Sequence, residues 1–223
     1  MIGSKILYFD SINSTNDYLI NLCKEFTIDD NIIVVTDNQT QGRGRMGKHW
    51  FSDEGLLFSF SLSENDKFNF FSINMLTGIT IVNTLKTYGL QAVLKYPNDV
   101  IINNKKIAGV LIESMRVNNS KVTVVGVGIN VNTQHFPGTI TQATSMKIIN
   151  KNIYDKTELL RLFINNFNNL ESSFTIDNVS LTKQYLNYLY GNNHFVPCFI
   201  RGNRDMVKIL SVSNKGILTI MYQ

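Results

Sequence analysis

Between Ala92 and Ile129 the chain runs through four strand-like segments in quick succession: Ala92–Tyr96, Val100–Asn103, Lys106–Met115 and Val122–Ile129. The connections between them are too short to hold a helix, and Asn103-Asn104 and Asn118-Asn119 are turn-prone pairs. Neighbouring strands joined by such turns run antiparallel, whereas parallel neighbours need a long crossover. This stretch therefore excludes a doubly wound parallel sheet. Earlier in the chain, Lys5–Phe9, Ile32–Val35 and Leu57–Leu62 also read as strands. Ser14-Thr15-Asn16-Asp17 offers capping side chains before an apolar helical run, and Asn69–Tyr88 carries apolar residues at helical spacing up to Gly89.

Residues 155–173 and 179–190 predict two more helices. Gly191-Asn192-Asn193 reads as a linker, followed by strand runs at Phe195–Arg201, Met206–Val212 and Gly216–Tyr222. The expected architecture is α+β: a mixed, mostly antiparallel sheet with helices packed on one face over residues 1–190, then a small C-terminal β-barrel over residues 191–223.

Charge and cysteine usage narrow the functions. The 223 residues carry 21 Lys and Arg against 17 Asp and Glu, a surplus that favours an anionic ligand without demanding nucleic acid. The dense basic cluster, Arg43, Arg45 and Lys48, is short. Cys23 and Cys198 imply no disulfide framework and read as two reduced, buried thiols, and His49, His135 and His194 lie too far apart for a metal motif. No signal peptide or membrane-length apolar stretch is apparent, which points to the cytoplasm.

Gly42-Arg43-Gly44-Arg45-Met46-Gly47 matches G-x-G-x-x-G by letter, yet Lys48-His49-Trp50-Phe51-Ser52 after it has no helical period, so it is not a dinucleotide fingerprint. Its glycines let the backbone close over a ligand, its arginines present planar forks to carboxylate or phosphate oxygens, and Trp50 adds a flat surface. Pro97 in Lys95-Tyr96-Pro97-Asn98-Asp99 interrupts a strand run; alone, Asn98 and Asp99 read as turn formers. A hairpin would set Asn98-Asp99 across the ladder from Lys106, which alone reads as a surface lysine.

Six segments, in order over residues 4–132, together resemble the biotin–protein ligase family: Ser14-Thr15-Asn16, Gln39 with Gln41-Gly42-Arg43-Gly44-Arg45, Trp50-Phe51-Ser52, Lys95–Asp99, Lys106-Ile107-Ala108-Gly109-Val110-Leu111, and Gly126–Asn132. The resemblance implies a class II synthetase-like biotin/lipoyl ligase fold with an SH3-like C-terminal barrel. It also implies two half-reactions: biotin and ATP give biotinyl-AMP, and a lysine of a biotin carboxyl carrier protein then takes the biotinyl group. Arg43 and Lys106 would be the catalytic cations. Biotin would be held by Ser14, Thr15, Asn16, Gln39, Gly42, Arg43, Gly44, Arg45, Lys106, Gly109 and Leu111. ATP or the adenylate would meet Arg43, Arg45, Lys48, Trp50, Asn98, Asp99, Lys106 and Asn130, with Mg2+ on the triphosphate and Asp99 as its candidate ligand.

The loop at 42–53 would order as a lid that keeps water from the adenylate. Two positions depart from the family pattern. Tyr96 stands where tryptophan is common and would still wall the site, and Lys48-His49-Trp50 replaces a more arginine-rich stretch. Some family members carry an N-terminal DNA-binding domain; Ser14-Thr15-Asn16 lies so near the start here that a repressor role and a DNA partner are not expected. A membrane partner is not expected either, and a homodimer through an exposed sheet edge is compatible with the pattern. Two rivals remain at this point: a lipoyl or octanoyl ligase on the same scaffold, and a non-catalytic nucleic-acid binder supported by the pI near 9.0 and the Arg-Gly-Arg run.

Overall fold

The computed structural model describes residues 1–25, 32–51, 53–63, 69–117, 120–174 and 179–223; Ser52 and the Asn118-Asn119 turn pair lie outside the described residues. In chain order the elements are β1 (Lys5–Ile12), α1 (Thr15–Glu25), β2 (Ile32–Gln39), β3 (Leu56–Ser63), α2 (Phe70–Thr87), β4 (Val93–Lys95), β5 (Asp99–Ile102), β6 (Lys105–Val117) and β7 (Ser120–Ile129). They continue with α3 (Met146–Asn150), α4 (Lys156–Ser173), α5 (Val179–Tyr188), β8 (Val196–Ile200), β9 (Asn203–Val212) and β10 (Leu218–Tyr222). Seven strands form one sheet in the order β1-β2-β3-β7-β6-β5-β4. Every neighbouring pair is antiparallel except β1 and β2, for which α1 supplies the crossover that a parallel pair needs.

The hairpin expected between the β5 and β6 runs is present. Asn103 and Asn104 both take positive φ, 50° and 61°, as a tight primed turn requires. Asn69 caps α2 by accepting from the backbone N–H groups of Phe71 and Ser72, and Asp155 does the same for α4 through Thr157 and Glu158.

Along β2 and β7 successive side chains alternate between two covered faces. Ile33, Val35, Val125, Val127 and Ile129 join a large core with α2, α4 and α5, in which Phe58, Phe60, Phe163 and Phe167 stack in edge and tilted contacts. The alternate residues Val34 and Val124 meet Leu19 and Cys23 of α1. Thus α2, α4 and α5 share the face on which helices are expected, and α1 covers the opposite one. That placement follows from the β1–α1–β2 crossover, which sequence periodicity does not reveal. Cys23 is buried and Cys198 half-buried, with no disulfide between them.

The three C-terminal runs pair as an antiparallel sheet in the order β10-β9-β8. This sheet is not packed as a free module. Its Ile209 and Val212 belong to the large core, the Ile209 N–H donates to the Gly191 carbonyl, and the turn at Gly216 sits against the Phe71 ring. Tyr96 is drawn into that junction. Its ring lies 6.1 Å from Phe71, centroid to centroid, and its hydroxyl donates to the Gly216 carbonyl at 2.9 Å. The residue expected to wall the ligand site instead ties the C-terminal sheet to the segment that carries Asn98 and Asp99. Among the described residues, no helix is long and apolar enough to cross a membrane.

Candidate functional site

On the α1 face of the sheet, β6 and β7 place Gly109 opposite Gly128 and Leu111 opposite Gly126, and Ser59 of β3 continues the row beside Gly126. Glycine alternating with β-branched residues strips one face of a strand pair and leaves the other face packed. Above this bare floor opens a cavity of about 380 Å³, a size suited to a small organic ligand. A methyl group at Gly126 would collide with Asn16 Oδ1, and one at Gly128 would lie 2.5 Å from the Trp50 ring, so both positions demand the absence of a side chain.

The polar end is built by the start of α1. Ser14 Oγ accepts from the Asp17 N–H at 3.3 Å. Thr15 donates through both its N–H and its hydroxyl to Gln39 Oε1, at 2.8 and 3.1 Å. Asn16 Nδ2 donates to Glu113 Oε2 at 2.7 Å, and Ser59 Oγ lies 2.6 Å from Asn16 Oδ1 and 2.7 Å from Thr15 Oγ1. Ser14, Thr15, Asn16 and Ser59 are almost wholly buried while Gln39 and Glu113 are half-buried, so the hydrogen bonds of the buried groups replace lost water and fix which way the amide of Asn16 points.

The glycine-rich loop crosses the cavity. It forms a short stem, with Arg43 bridged to His49 and the Trp50 N–H donating to the Gly42 carbonyl, and a tight tip in which Met46 and Gly47 take positive φ of 57° and 70°. No helix follows, as the sequence implied.

Arg43 lines the cavity, yet its guanidinium is held by two carboxylates. It meets Asp17 in a fork at 2.5 and 2.7 Å and Glu113 at 3.0 Å. Hydrogen bonding to Asp17, reinforced by Glu113, raises its pKa further above the usual arginine value, so it stays charged. Arg45 is less committed, reaching, among the described residues, only Asn98 Oδ1 at 3.4 Å.

Lys106 Nζ pairs with Asp99 Oδ1 at 2.6 Å and stands 5.1 Å from the centroid of the Trp50 ring. The buried Trp50 Nε1–H has no partner among the described residues and so remains a donor for an acceptor in the cavity.

Of the residues singled out from sequence, Ser14, Thr15, Asn16, Gln39, Arg43, Gly44, Arg45, Lys48, Trp50, Asn98, Asp99, Lys106, Gly109 and Leu111 all line this cavity. Gly42 and Asn130 do not. Gly42 is buried behind the loop, where a Cβ would press on Gln39 and the Trp50 carbonyl. Asn130 is 6% exposed, and its Nδ2 donates to the Thr144 carbonyl at 3.0 Å and the Lys106 carbonyl at 3.4 Å. It therefore clips the chain around Thr144 to the strand that bears Lys106, rather than lining the cavity.

Four cationic side chains, Arg43, Arg45, Lys48 and Lys106, line the cavity against the single carboxylate of Asp99. No cluster of three or more His, Cys, Asp or Glu able to cage a metal occurs among the described residues. Glu113 and Ser59 carried no role in the sequence, Asp17 read only as a capping side chain, and Gly126 and Gly128 stood in a matched segment without a role of their own. The alternation Val124-Val125-Gly126-Val127-Gly128-Ile129 was a usable signal for the two glycines.

Residues 8–130 match the Biotin/lipoate A/B protein ligase family. The chain is 34% identical over 140 residues to the bifunctional ligase/repressor BirA of Bacillus spizizenii, covering 60% of this chain and 42% of that protein. It is 31% identical over 105 residues to the biotin–[acetyl-CoA-carboxylase] ligase of Paracoccus denitrificans, covering 44% of this chain and 43% of that one. It thus spans less than half the length of these curated relatives. Among solved structures, the biotin protein ligase from Aquifex aeolicus in complex with biotin and ATP superposes with a TM-score of 0.82 at 26% identity, covering 99% of this chain and 95% of that chain.

Proposed function

The chain belongs to the biotin/lipoate A/B protein ligase family, and on that premise we propose that it activates biotin with ATP and passes the biotinyl group to a lysine of a biotin carboxyl carrier protein. The observation that carries the reading is the convergence of Lys106 and Arg45 on one glycine-floored cavity whose far end is the polar row Thr15, Asn16 and Gln39. A flat ureido ring needs donors and acceptors or it leaves buried groups unpaired, and that row supplies both. The bare floor at Gly109, Gly126 and Gly128, with Leu111, accommodates an apolar ring and chain.

The chemistry then falls at the cationic end. A carboxylate attacking the α-phosphate, with pyrophosphate leaving, brings like charges together, so the site must supply positive charge as the transition state forms. Lys106, aligned by Asp99, supplies it from the sheet, and Arg45 supplies it from the loop tip. Arg43, read from sequence as the second catalytic cation, has its charge balanced by Asp17 and Glu113 and contributes through placement. Mg2+ would ride on the triphosphate with Asp99 as its protein oxygen, which suits a cation that keeps most of its shell for phosphate and water. Lys48 and Trp50 cover the adenylate until the carrier amine attacks its acyl carbon and AMP leaves. An ATP-supplied cytoplasm goes with this reading.

Biotin-dependent exchange of pyrophosphate into ATP is the test, run in parallel with lipoate. Exchange is expected with biotin, and exchange with lipoate alone would overturn the substrate. Lys106→Ala should cut exchange by roughly 10²–10³ at unchanged thermal stability; full activity would reject the role given to Lys106.

A further inference from the structure

The Arg43 guanidinium is the most heavily engaged cation at the cavity. Asp17 reaches it from α1, 26 residues away in sequence, and Glu113 from β6, 70 residues away. Forked guanidinium–carboxylate contacts of this kind are directional as well as strong. Glu113 does a second job, since the oxygen that meets Arg43 at 3.0 Å also accepts from Asn16 Nδ2 at 2.7 Å. Beyond Arg43 the loop changes character. Met46 is 94% exposed, Arg45 and Lys48 are exposed, and the tip is closed on itself by the Gly44 N–H donating to the Lys48 carbonyl at 2.6 Å.

We propose that Asp17 and Glu113 are positioning residues that pin Arg43 as the fixed stem of the loop, from which the tip Gly44–Lys48 swings Arg45 and Lys48 over the cavity. The proposal rests on the ligase reading only for the identity of what the tip covers. The pin does two things. It sets the pivot, so that the travel of Arg45 is short and its guanidinium returns to one place above Asn98. It also couples that pivot to the amide of Asn16, so loop and floor are aligned by one carboxylate, Glu113. Two carboxylates around a single guanidinium leave the stem with a net negative charge, so attraction for an anionic substrate resides in the tip and in Lys106.

Trypsin reads the pin directly, because it cuts after arginine and lysine. Brief digestion of the full chain, followed by peptide mass mapping, should give cuts after Arg45 and Lys48 well ahead of any after Arg43. In the Asp17→Asn/Glu113→Gln double variant, cutting after Arg43 should accelerate roughly tenfold relative to Arg45, as loss of charge-assisted contacts predicts. Asp17→Glu, which restores a carboxylate, should return protection, and Asp17→Asn alone should not. In exchange assays the double variant should raise the KM for biotin roughly tenfold with a smaller change in kcat.

Cutting after Arg43 as fast as after Arg45 in the unmodified protein would overturn the proposal without recourse to any variant. So would a double variant with unchanged cutting ratio and unchanged KM. Since the digestion needs no substrate, its outcome is independent of whether biotin is the acid activated.

Discussion

Gly128 shows how strictly single positions define the cavity. The Trp50 ring rests on its Cα, and Gly109 opposite is overhung by both that ring and the Lys106 side chain. Gly128→Ala places a methyl 2.5 Å from the indole and forces the ring upward into the ligand space. Overpacking of this kind costs about 1–3 kcal/mol. Biotin affinity is therefore expected to fall at least roughly tenfold by calorimetric titration, and unchanged affinity would show that the ring has another place to go. The counterpart residue is Trp50 itself, whose buried Nε1–H has no partner among the described residues and is open to an acceptor that enters the cavity.

At the scale of elements, the turn between β9 and β10 is the joint to test. Gly216 holds φ at +83°, and a Cβ there would come within 2.7 Å of the Phe71 ring. Gly216→Ala is expected to destabilise the protein by about 1–3 kcal/mol in urea denaturation, from backbone strain and collision together. An unchanged midpoint would mean that the joint is loose. Tyr96→Phe, which removes the hydroxyl from the same joint, should cost less, about 0.5–1.5 kcal/mol.

The elements themselves were largely readable. The β-branched runs and the Asn103-Asn104 turn are local signals, and each appears where the sequence put it. The parallel pairing of β1 with β2 and the placement of α1 on the opposite face left no local trace, because period reports burial and not neighbours. The five residues of α3 are too few to show a helical period, although Ser145 caps it by accepting from the Ile148 N–H. The same logic divides the site. Lys106 and the loop arginines sit in recognisable segments. Asp17 reads from sequence only as a capping side chain and Glu113 carries no motif, since a contact bridging 26 or 70 residues has no spacing to recognise.

Taken whole, the molecule has two sheets but a shared interior. The boundary expected at 190/191 separates the seven-stranded sheet from the three-stranded one, yet Ile209 and Val212 are packed into the same apolar cluster as α2, α4 and α5. Scanning calorimetry is accordingly expected to give one cooperative transition rather than two; a separate melting step for the C-terminal sheet would show that the shared interior does not couple them.

The sequence contains one tryptophan, and it is the indole that leans over Gly109 and Gly128, 5.1 Å from an ammonium. Excited beyond the absorption of the nine tyrosines, the protein's ultraviolet emission comes wholly from that ring. Whatever displaces Lys106 or stacks on the indole must alter its colour and brightness, so the chain carries its own optical gauge of cavity occupancy.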